Sequence, residues 1–212
     1  MKIFGRLITA VAVSAALAAG LIGCGGDNGA GSGGDGSGGD YDYSLSCGDR
    51  PCQTVKIGNQ TWMAENLNYK TAESWCYNNS PDSCAKYGRL YTYVSAKKAC
   101  PSGWHLPTRN EWDALVDYAG GGVTAGGKLK AASGWNDDGN GTDQYGFSAL
   151  PGGYRYASGD FGHSGRYGGW WTAPEYGNDY ARYRHIDYNH SDVYEYGSYD
   201  KGAFSARCLQ DG

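Results

Sequence analysis

An α+β domain stapled by disulfides is the fold class that the sequence predicts, and three observations predict it. Helix signals are confined to the stretch from Ser95 to Leu129, while from Gly134 onward Gly, Asp, Asn and Tyr surround short apolar runs. Six cysteines follow an export signal, and exported thiols oxidise. The 19 Tyr and 7 Trp of the 212 residues supply aromatic surface for a small, loop-rich antiparallel sheet. A hydrophobic fraction of 40% and a mean hydropathy of −0.59 exclude a multi-span membrane protein. The net charge of −4, with no basic run, argues against binding nucleic acid by phosphate neutralisation.

The chain opens on an address. Lys2 and Arg6 form a short positive region, and Leu7 to Gly20 is apolar and Ala-rich, too short to span a bilayer. It ends in Leu21-Ile22-Gly23-Cys24, the pattern of a bacterial lipoprotein signal, so residues 1–23 are expected to be removed and Cys24 acylated. The plain alternative is an ordinary secretory signal with a chance cysteine. Two or three acyl chains would anchor the protein stably, and Gly25, in place of Asp, favours the outer membrane by the enterobacterial sorting rule. The mature chain then carries 16 basic and 22 acidic side chains, since the signal holds Lys2 and Arg6 and no acid.

Residues 25–39 read GGDNGAGSGGDGSGG and can bury nothing. With the residues up to Ser46 they make a flexible tether reaching about 25–30 Å from the anchor, which sets a domain at 47–212 off the lipid headgroups.

With Cys24 lipidated, Cys47, Cys52, Cys76, Cys84, Cys100 and Cys208 remain and allow 15 connectivities. Spacing suggests Cys47–Cys52 and Cys76–Cys84 as local staples and Cys100–Cys208 as a long bridge. The absence of a CxxC pair argues against zinc, and a plausible partner for each cysteine argues against a thiol nucleophile.

Thr54–Ile57 and Gln60–Met63, joined by Gly58-Asn59, read as a hairpin. Leu90 to Tyr93 suits a short strand leading into a helix over Ser95 to Cys100, stopped by Pro101. Thr108-Arg109-Asn110-Glu111 is a capping box, and Trp112, Leu115, Val116 and Ala119 give the helix to about Tyr118 one apolar face. A shorter helix around Leu129 follows Thr124. Phe147–Leu150, Ala181–Ile186 and Phe204–Leu209 are expected strands.

From Val55 to the end the chain resembles the Fibrobacter succinogenes major paralogous domain. The resemblance is carried by VKIGNQTWMAENLNY (Val55–Tyr69), CAKYGRLYTY (Cys84–Tyr93), ACPSGWHLPTRNEW (Ala99–Trp112), SGWNDDGNGTDQYGFSALPGGYR (Ser133–Arg155) and FSARCLQD (Phe204–Asp211). Where that family usually has Trp-Trp-Ser-Ser-Thr-Glu, this chain has Trp170-Trp171-Thr172-Ala173-Pro174-Glu175, a departure at three positions. More distantly the domain is similar to the C-type-lectin-like fold and its formylglycine-generating branch. A helix ending in Cys100, then Gly103 to Pro107 and a capped helix, resemble that fold's start. Cys208 resembles its closing cysteine, which also supports a Cys100–Cys208 bridge. The resemblance implies fold and surface location, not a ligand.

Ten tyrosines between Tyr154 and Tyr199, with Trp170, Trp171 and interleaved Arg, Asp, Asn and His, form the main candidate site. Aromatic faces stack on sugar C–H faces and planar polar groups bond hydroxyls, so Trp170, Trp171, Tyr154, Tyr183, Arg184 and Tyr188 are expected ligand contacts. Such a surface also suits a protein partner, and a Tyr-rich sheet packed on its own core is the structural alternative. Asp137, Asp138, Asn140 and Asp143 make an oxygen-rich loop that suits calcium, weighed against a plain Asx/Gly turn. Trp135-Asn136-Asp137 is similar to a lectin calcium motif, but stands some 70 residues too early. His105, between Trp104 and Leu106, reads as a structural histidine, and Trp62, Trp104 and Trp112 as core.

The oxidase branch of the fold needs a spare reactive cysteine pair, and none is left over. Glu175, Asp187 and Glu195 could serve a glycosidase only if brought together. The expectation is therefore a surface lipoprotein, periplasmic or cell-surface facing, with a non-catalytic domain that binds glycan. A protein-interaction module is the first alternative and an enzyme of unknown type the second. No cofactor is expected beyond possible calcium.

Overall fold

The computed structural model describes residues 51–174, 181–198 and 202–212. The signal, Cys24, the tether and Cys47 lie outside the described residues, as do Glu175, Tyr176, Tyr180 and Tyr199. In chain order the elements are β1 (Thr54–Ile57), β2 (Gln60–Met63), β3 (Ser74–Trp75), α1 (Pro81–Tyr87), β4 (Leu90–Tyr91), α2 (Tyr93–Ala96), β5 (Trp104–His105), α3 (Arg109–Tyr118), α4 (Ala125–Leu129), β6 (Tyr154–Arg155), β7 (Phe161–Gly162), β8 (Tyr167–Thr172), β9 (Ala181–Asp187), β10 (Tyr194–Ser198), β11 (Phe204–Ser205) and β12 (Leu209–Gln210). The fold is α+β and disulfide-stapled, with a four-stranded sheet β1-β2-β12-β5, a six-stranded sheet β10-β9-β8-β11-β4-β3 and the small ribbon β6-β7. Pairing within the sheets is antiparallel except where β11 runs parallel to β8 at Ser205 and Trp170.

The hairpin forms in the expected register, Ile57 opposite Gln60, and Gly58 takes the positive φ of 60° that the tight turn needs. The capping box is complete: Thr108 Oγ1 accepts from the Glu111 backbone N–H, and the Thr108 N–H donates to Glu111 Oε2 at 2.7 Å. Trp112, Leu115, Val116 and Ala119 are all buried.

The helix expected over Ser95 to Cys100 is instead α2, set earlier because Thr92 caps it by accepting from the Ser95 N–H. Past Ala96 the backbone makes tighter i→i+3 bonds, Lys98 to Ser95 and Ala99 to Ala96, and Pro101 disfavours helix at Cys100. Helix α1 was not expected, although Ser80-Pro81 places a good capping type before a proline at the first helical position. The expected final strand is two, because the chain leaves the large sheet after Ser205 and enters the four-stranded sheet at Leu209. Between them the Ala206 and Cys208 carbonyls accept from the N–H groups of Leu67 and Met63. Of Phe147–Leu150, only Ala149 pairs, as an isolated bridge to Lys130.

Cys76–Cys84 closes over α1, and Cys100–Cys208 ties the turn after α2 to the last strands. Cys52 is buried and disulfide-bonded. Two apolar clusters fill the domain. Trp62, Trp112, Phe147 and Trp170 are at the heart of one, with Trp62 and Trp112 ring centroids 4.9 Å apart and Phe147 edge-on to Trp62 at 5.6 Å. Met63, Leu67, Tyr91, Trp171 and Cys208 belong to the other. Among the described residues no helix is long and apolar enough to cross a membrane.

Candidate functional site

Strand alternation sorts the Tyr-rich segment into two faces. Pairing of Tyr167 with Asp187, Trp171 with Tyr183, Tyr194 with His185 and Tyr196 with Tyr183 places these side chains on one face of β8, β9 and β10. Trp170, Arg184, Ile186 and Glu195 take the other.

On the first face the rings form a continuous stack. His185 lies 4.7 Å from Tyr167 at 16°, 4.9 Å from Tyr194 and 5.0 Å from Tyr196. Tyr183 lies flat on Phe204 at 4.2 Å. From the β6–β7 ribbon, Tyr154 stacks on His163 at 5.1 Å and meets Tyr156 and Tyr167 edge-on. Among the described residues Tyr154, Arg155, Tyr156, Tyr167, Tyr183, His185, Tyr196, Gly197, Gly202 and Phe204 line a cleft of about 620 Å³.

Burial, reinforced by neighbouring phenols, raises the Tyr154 and Tyr167 hydroxyls well above the ordinary tyrosine value, so both stay protonated and can donate or accept. Burial lowers His185 although Asp187, 3.4 Å away, opposes the shift. His185 is therefore neutral at neutral pH.

Of the expected contacts, the cleft brings together Tyr154 and Tyr183. Trp170 and Trp171 do not join them, and this corrects the sequence expectation. They are 1% and 0% exposed because β8 is central in its sheet and apolar side chains cover both of its faces. Trp170 enters one core cluster and donates to Asn66 Oδ1 at 2.8 Å; Trp171 enters the other and donates to the Tyr91 carbonyl at 2.7 Å. Trp171 instead supports the cleft floor, edge-on to Phe204 at 4.9 Å.

Arg184 is likewise buried on the far face, paired with Asp113 at 2.5 Å and Glu195 at 2.8 Å. Tyr188 packs against the first cluster under the Arg166 guanidinium, away from the cleft. His185 and Phe204 also line the cleft; the period-2 spacing of His185 from Tyr183 is a signal for the first, while Phe204 joins through the placing of β11 beside β8. Asp187 and Glu195 lie on opposite faces of the sheet, so the structure does not bring them together.

The oxygen-rich loop does not fit a calcium site. Asp143 accepts from the Ser148 N–H at 2.7 Å and from its hydroxyl at 2.5 Å, Asn140 accepts from the Trp135 N–H, and Asp137 pairs with Arg166 at 3.4 Å. The backbone of this loop turns at positive φ, Asp137 at 52°, Asp138 at 60° and Asp143 at 45°. Among the described residues no group of three or more His, Cys, Asp or Glu is placed to hold a metal. His105 is held between Asp211 at 2.6 Å and Glu111 at 3.0 Å, which ties the capping box to the chain's end.

The cleft, the bridge between Cys100 and Cys208 and the capped helix all lie within residues 55–210, the stretch matched by the family model of the Fibrobacter succinogenes major domain. The chain belongs to this family. No curated protein and no solved structure matches the chain.

Proposed function

We propose that this Fibrobacter major domain is a non-catalytic glycan-binding module carried by a surface lipoprotein. The cleft carries the reading. Its volume falls within the range of about 300–1,000 Å³ usual for ligand pockets, and its walls offer tyrosine faces and protonated phenols where a sugar ring needs C–H stacking and hydroxyl partners. Tyr156 and Tyr196 are 39% and 50% exposed and available to a ligand.

The finer features of the proposal are a C-type-lectin-like arrangement of the domain, acylation at Cys24 and anchoring in the outer membrane. A long bridge between the turn after α2 and the last strands supports the first. The Leu21-Ile22-Gly23-Cys24 stretch supports the others. No cofactor is part of the proposal, since Asp137, Asn140 and Asp143 of the calcium candidates already hold Arg166, the Trp135 N–H and Ser148.

The test is binding of the purified chain to a broad glycan array and to insoluble polysaccharides, with Tyr156→Ala and Tyr196→Ala beside the wild type. Retention by a defined glycan, lost in both variants and indifferent to chelator, is the expected result. If no glycan is retained while a surface protein co-purifies, the cleft is a protein-interaction site instead. Labelled palmitate incorporated by the wild type and not by Cys24→Ala checks the anchor.

A further inference from the structure

Two phenol oxygens of the cleft are joined to each other and to a histidine. Tyr154 donates to Tyr156 Oη at 3.2 Å, and Tyr156 Oη lies 3.1 Å from His163 Nε2. We infer that His163 Nε2 takes the Tyr156 proton, so that Tyr154 and Tyr156 meet the ligand as two adjacent acceptors and select a glycan with two neighbouring, unsubstituted ring hydroxyls. This inference rests on the glycan reading above.

Tyr154 opens β6 and Tyr156 follows it by two residues, so alternation puts both on one face of the ribbon. That face is turned to the cleft: both residues line it, and the Tyr154 ring meets those of Tyr167 at 5.2 Å and Phe204 at 5.5 Å. The Tyr156 ring lies over Gly162 of β7, where a Cβ would stand 2.9 Å from Tyr156 Cε2 and 3.0 Å from its Oη. The bare glycine thus admits the phenol. His163, the next residue, takes a φ of 65°, a left-handed conformation that few residues other than glycine adopt. Its ring lies flat on Tyr154 at 5.1 Å, and its carbonyl accepts from the N–H groups of Arg166 and Tyr167, which ties the turn to the start of β8. Backbone and ring stacking together hold the imidazole nitrogen against the Tyr156 hydroxyl.

A phenol carries one proton and can also accept. The Tyr154 proton goes to Tyr156 and the Tyr156 proton to His163, so neither is left for a ligand, while both oxygens keep acceptor capacity. Neighbouring gauche hydroxyls on a pyranose ring stand at a similar separation and can donate one to each oxygen. Trans-diaxial hydroxyls stand too far apart to do so. A position blocked as an ester or ether, or replaced by fluorine, brings no proton and leaves a phenol acceptor unanswered. His163 and Gly162 are positioning residues, acting through Tyr156.

The experiment is calorimetric titration of the full chain with cello-, xylo- and manno-oligosaccharides. Each is run beside analogues in which one ring hydroxyl is replaced by fluorine, which adds little bulk and removes the proton. At least one parent oligomer is expected to bind, and fluorine at either of two neighbouring positions should weaken it about fivefold or more. Tyr156→Phe should weaken the parent by a similar factor and remove the fluorine penalty at one of the two positions. His163→Phe, which keeps the stack on Tyr154 and loses the acceptor, should reduce that same penalty, and His163→Gln, whose carbonyl accepts, should keep most of it. Melting temperatures of the variants, unchanged from the wild type, separate lost recognition from lost fold, and the fluorine series on the wild type needs no variant at all. Fluorine penalties that are absent, or that persist unchanged in Tyr156→Phe, overturn the paired-acceptor inference and leave the glycan reading standing. Failure of every oligomer overturns both.

Discussion

Arg207 Nη2 and Asn66 Oδ1 lie 2.7 Å apart, with the arginine fully buried and the asparagine 6% exposed. Asn66 Oδ1 also accepts from Arg207 Nε and Trp170 Nε1, while its amide donates to the Tyr87 carbonyl. The guanidinium donates to the Phe147 carbonyl as well and sits 4.2 Å over the Phe147 ring. Burial lowers Arg207 to about 9, with Glu65 and Asp143 opposing the fall, so the group is still a cation at neutral pH. Removing its acceptor leaves a charge stranded in the core. Asn66→Ala is therefore expected to destabilise the domain by about 3–5 kcal/mol. Denaturant unfolding measures this, and a loss below about 1 kcal/mol would show that the site relaxes around other acceptors.

The two described disulfides differ in the loop they close. Cys100–Cys208 spans a sequence separation of 108 and Cys76–Cys84 one of 8. In the chain-entropy model their removal costs about 4.8 and about 2.6 kcal/mol. Replacing both cysteines of each pair by alanine, followed by thermal melting, should place the long-bridge variant well below the short-bridge one. The reverse order would mean that the short bridge stabilises α1 by more than loop closure.

Core and cleft aromatics should separate cleanly in one comparison. Trp170→Ala opens a cavity where the ring is 1% exposed and is expected to cost about 3–5 kcal/mol. Tyr196→Ala, at a half-exposed cleft position, should change stability by no more than about 0.5 kcal/mol. Its effect belongs to ligand retention. A Tyr196→Ala protein that melts as early as Trp170→Ala would place that ring in the structural framework.

Two histidines give stability opposite slopes with pH. Burial opposes protonation of His105, but its bonds to Asp211 and Glu111 outweigh burial and raise it above 6.5. Its contribution is full below about 6.5 and is lost as pH rises through the raised value. His185 is lowered below 6.5 by burial, so the unfolded chain binds a proton that the folded chain does not. That contribution is full above about 6.5 and is lost as pH falls toward the lowered value. Melting between about pH 5 and 8 should therefore decline on both sides of a maximum. His105→Gln should flatten the alkaline side and His185→Phe the acid side. A His185→Phe curve unchanged on the acid side would show that another group sets it.

Lys130 is 4% exposed, and its ammonium donates to the carbonyls of Asp187, Tyr188 and His190 at 3.1–3.3 Å. It fastens the end of β9 to the loop after α4. Lys130→Met strands those carbonyls and should cost about 1–3 kcal/mol, read as a lowered unfolding midpoint. A change within about 0.5 kcal/mol would show water taking its place.

How far the sequence carried varies by element for a physical reason. The hairpin at Gly58-Asn59, the Thr108 capping box and the buried stripe from Trp112 to Ala119 are written in neighbours no more than nine residues apart, so they are legible. The start of α2 was missed by two residues because Thr92 outcompeted a later start. The division of Phe204–Leu209 between two sheets has no local signal, since what divides it is the Met63–Leu67 segment bonding to it from elsewhere in the chain.

At the candidate site the aromatic-rich stretch was legible as a region and not as a face. Alternation tells that Trp170 and Trp171 point opposite ways; it does not tell that both faces of β8 are covered. Strand order decides that, by placing β8 between β9 and β11 inside the sheet. The same long-range order put Arg184 over Asp113 and set Tyr154 and Arg155 beside Tyr183 and Phe204. The sequence by itself determined the α+β class, the family, the local turns and caps and the aromatic stock. Only tertiary structure decided which aromatics are walls of the cleft and which are core, because exposure depends on what distant strands pack over a residue.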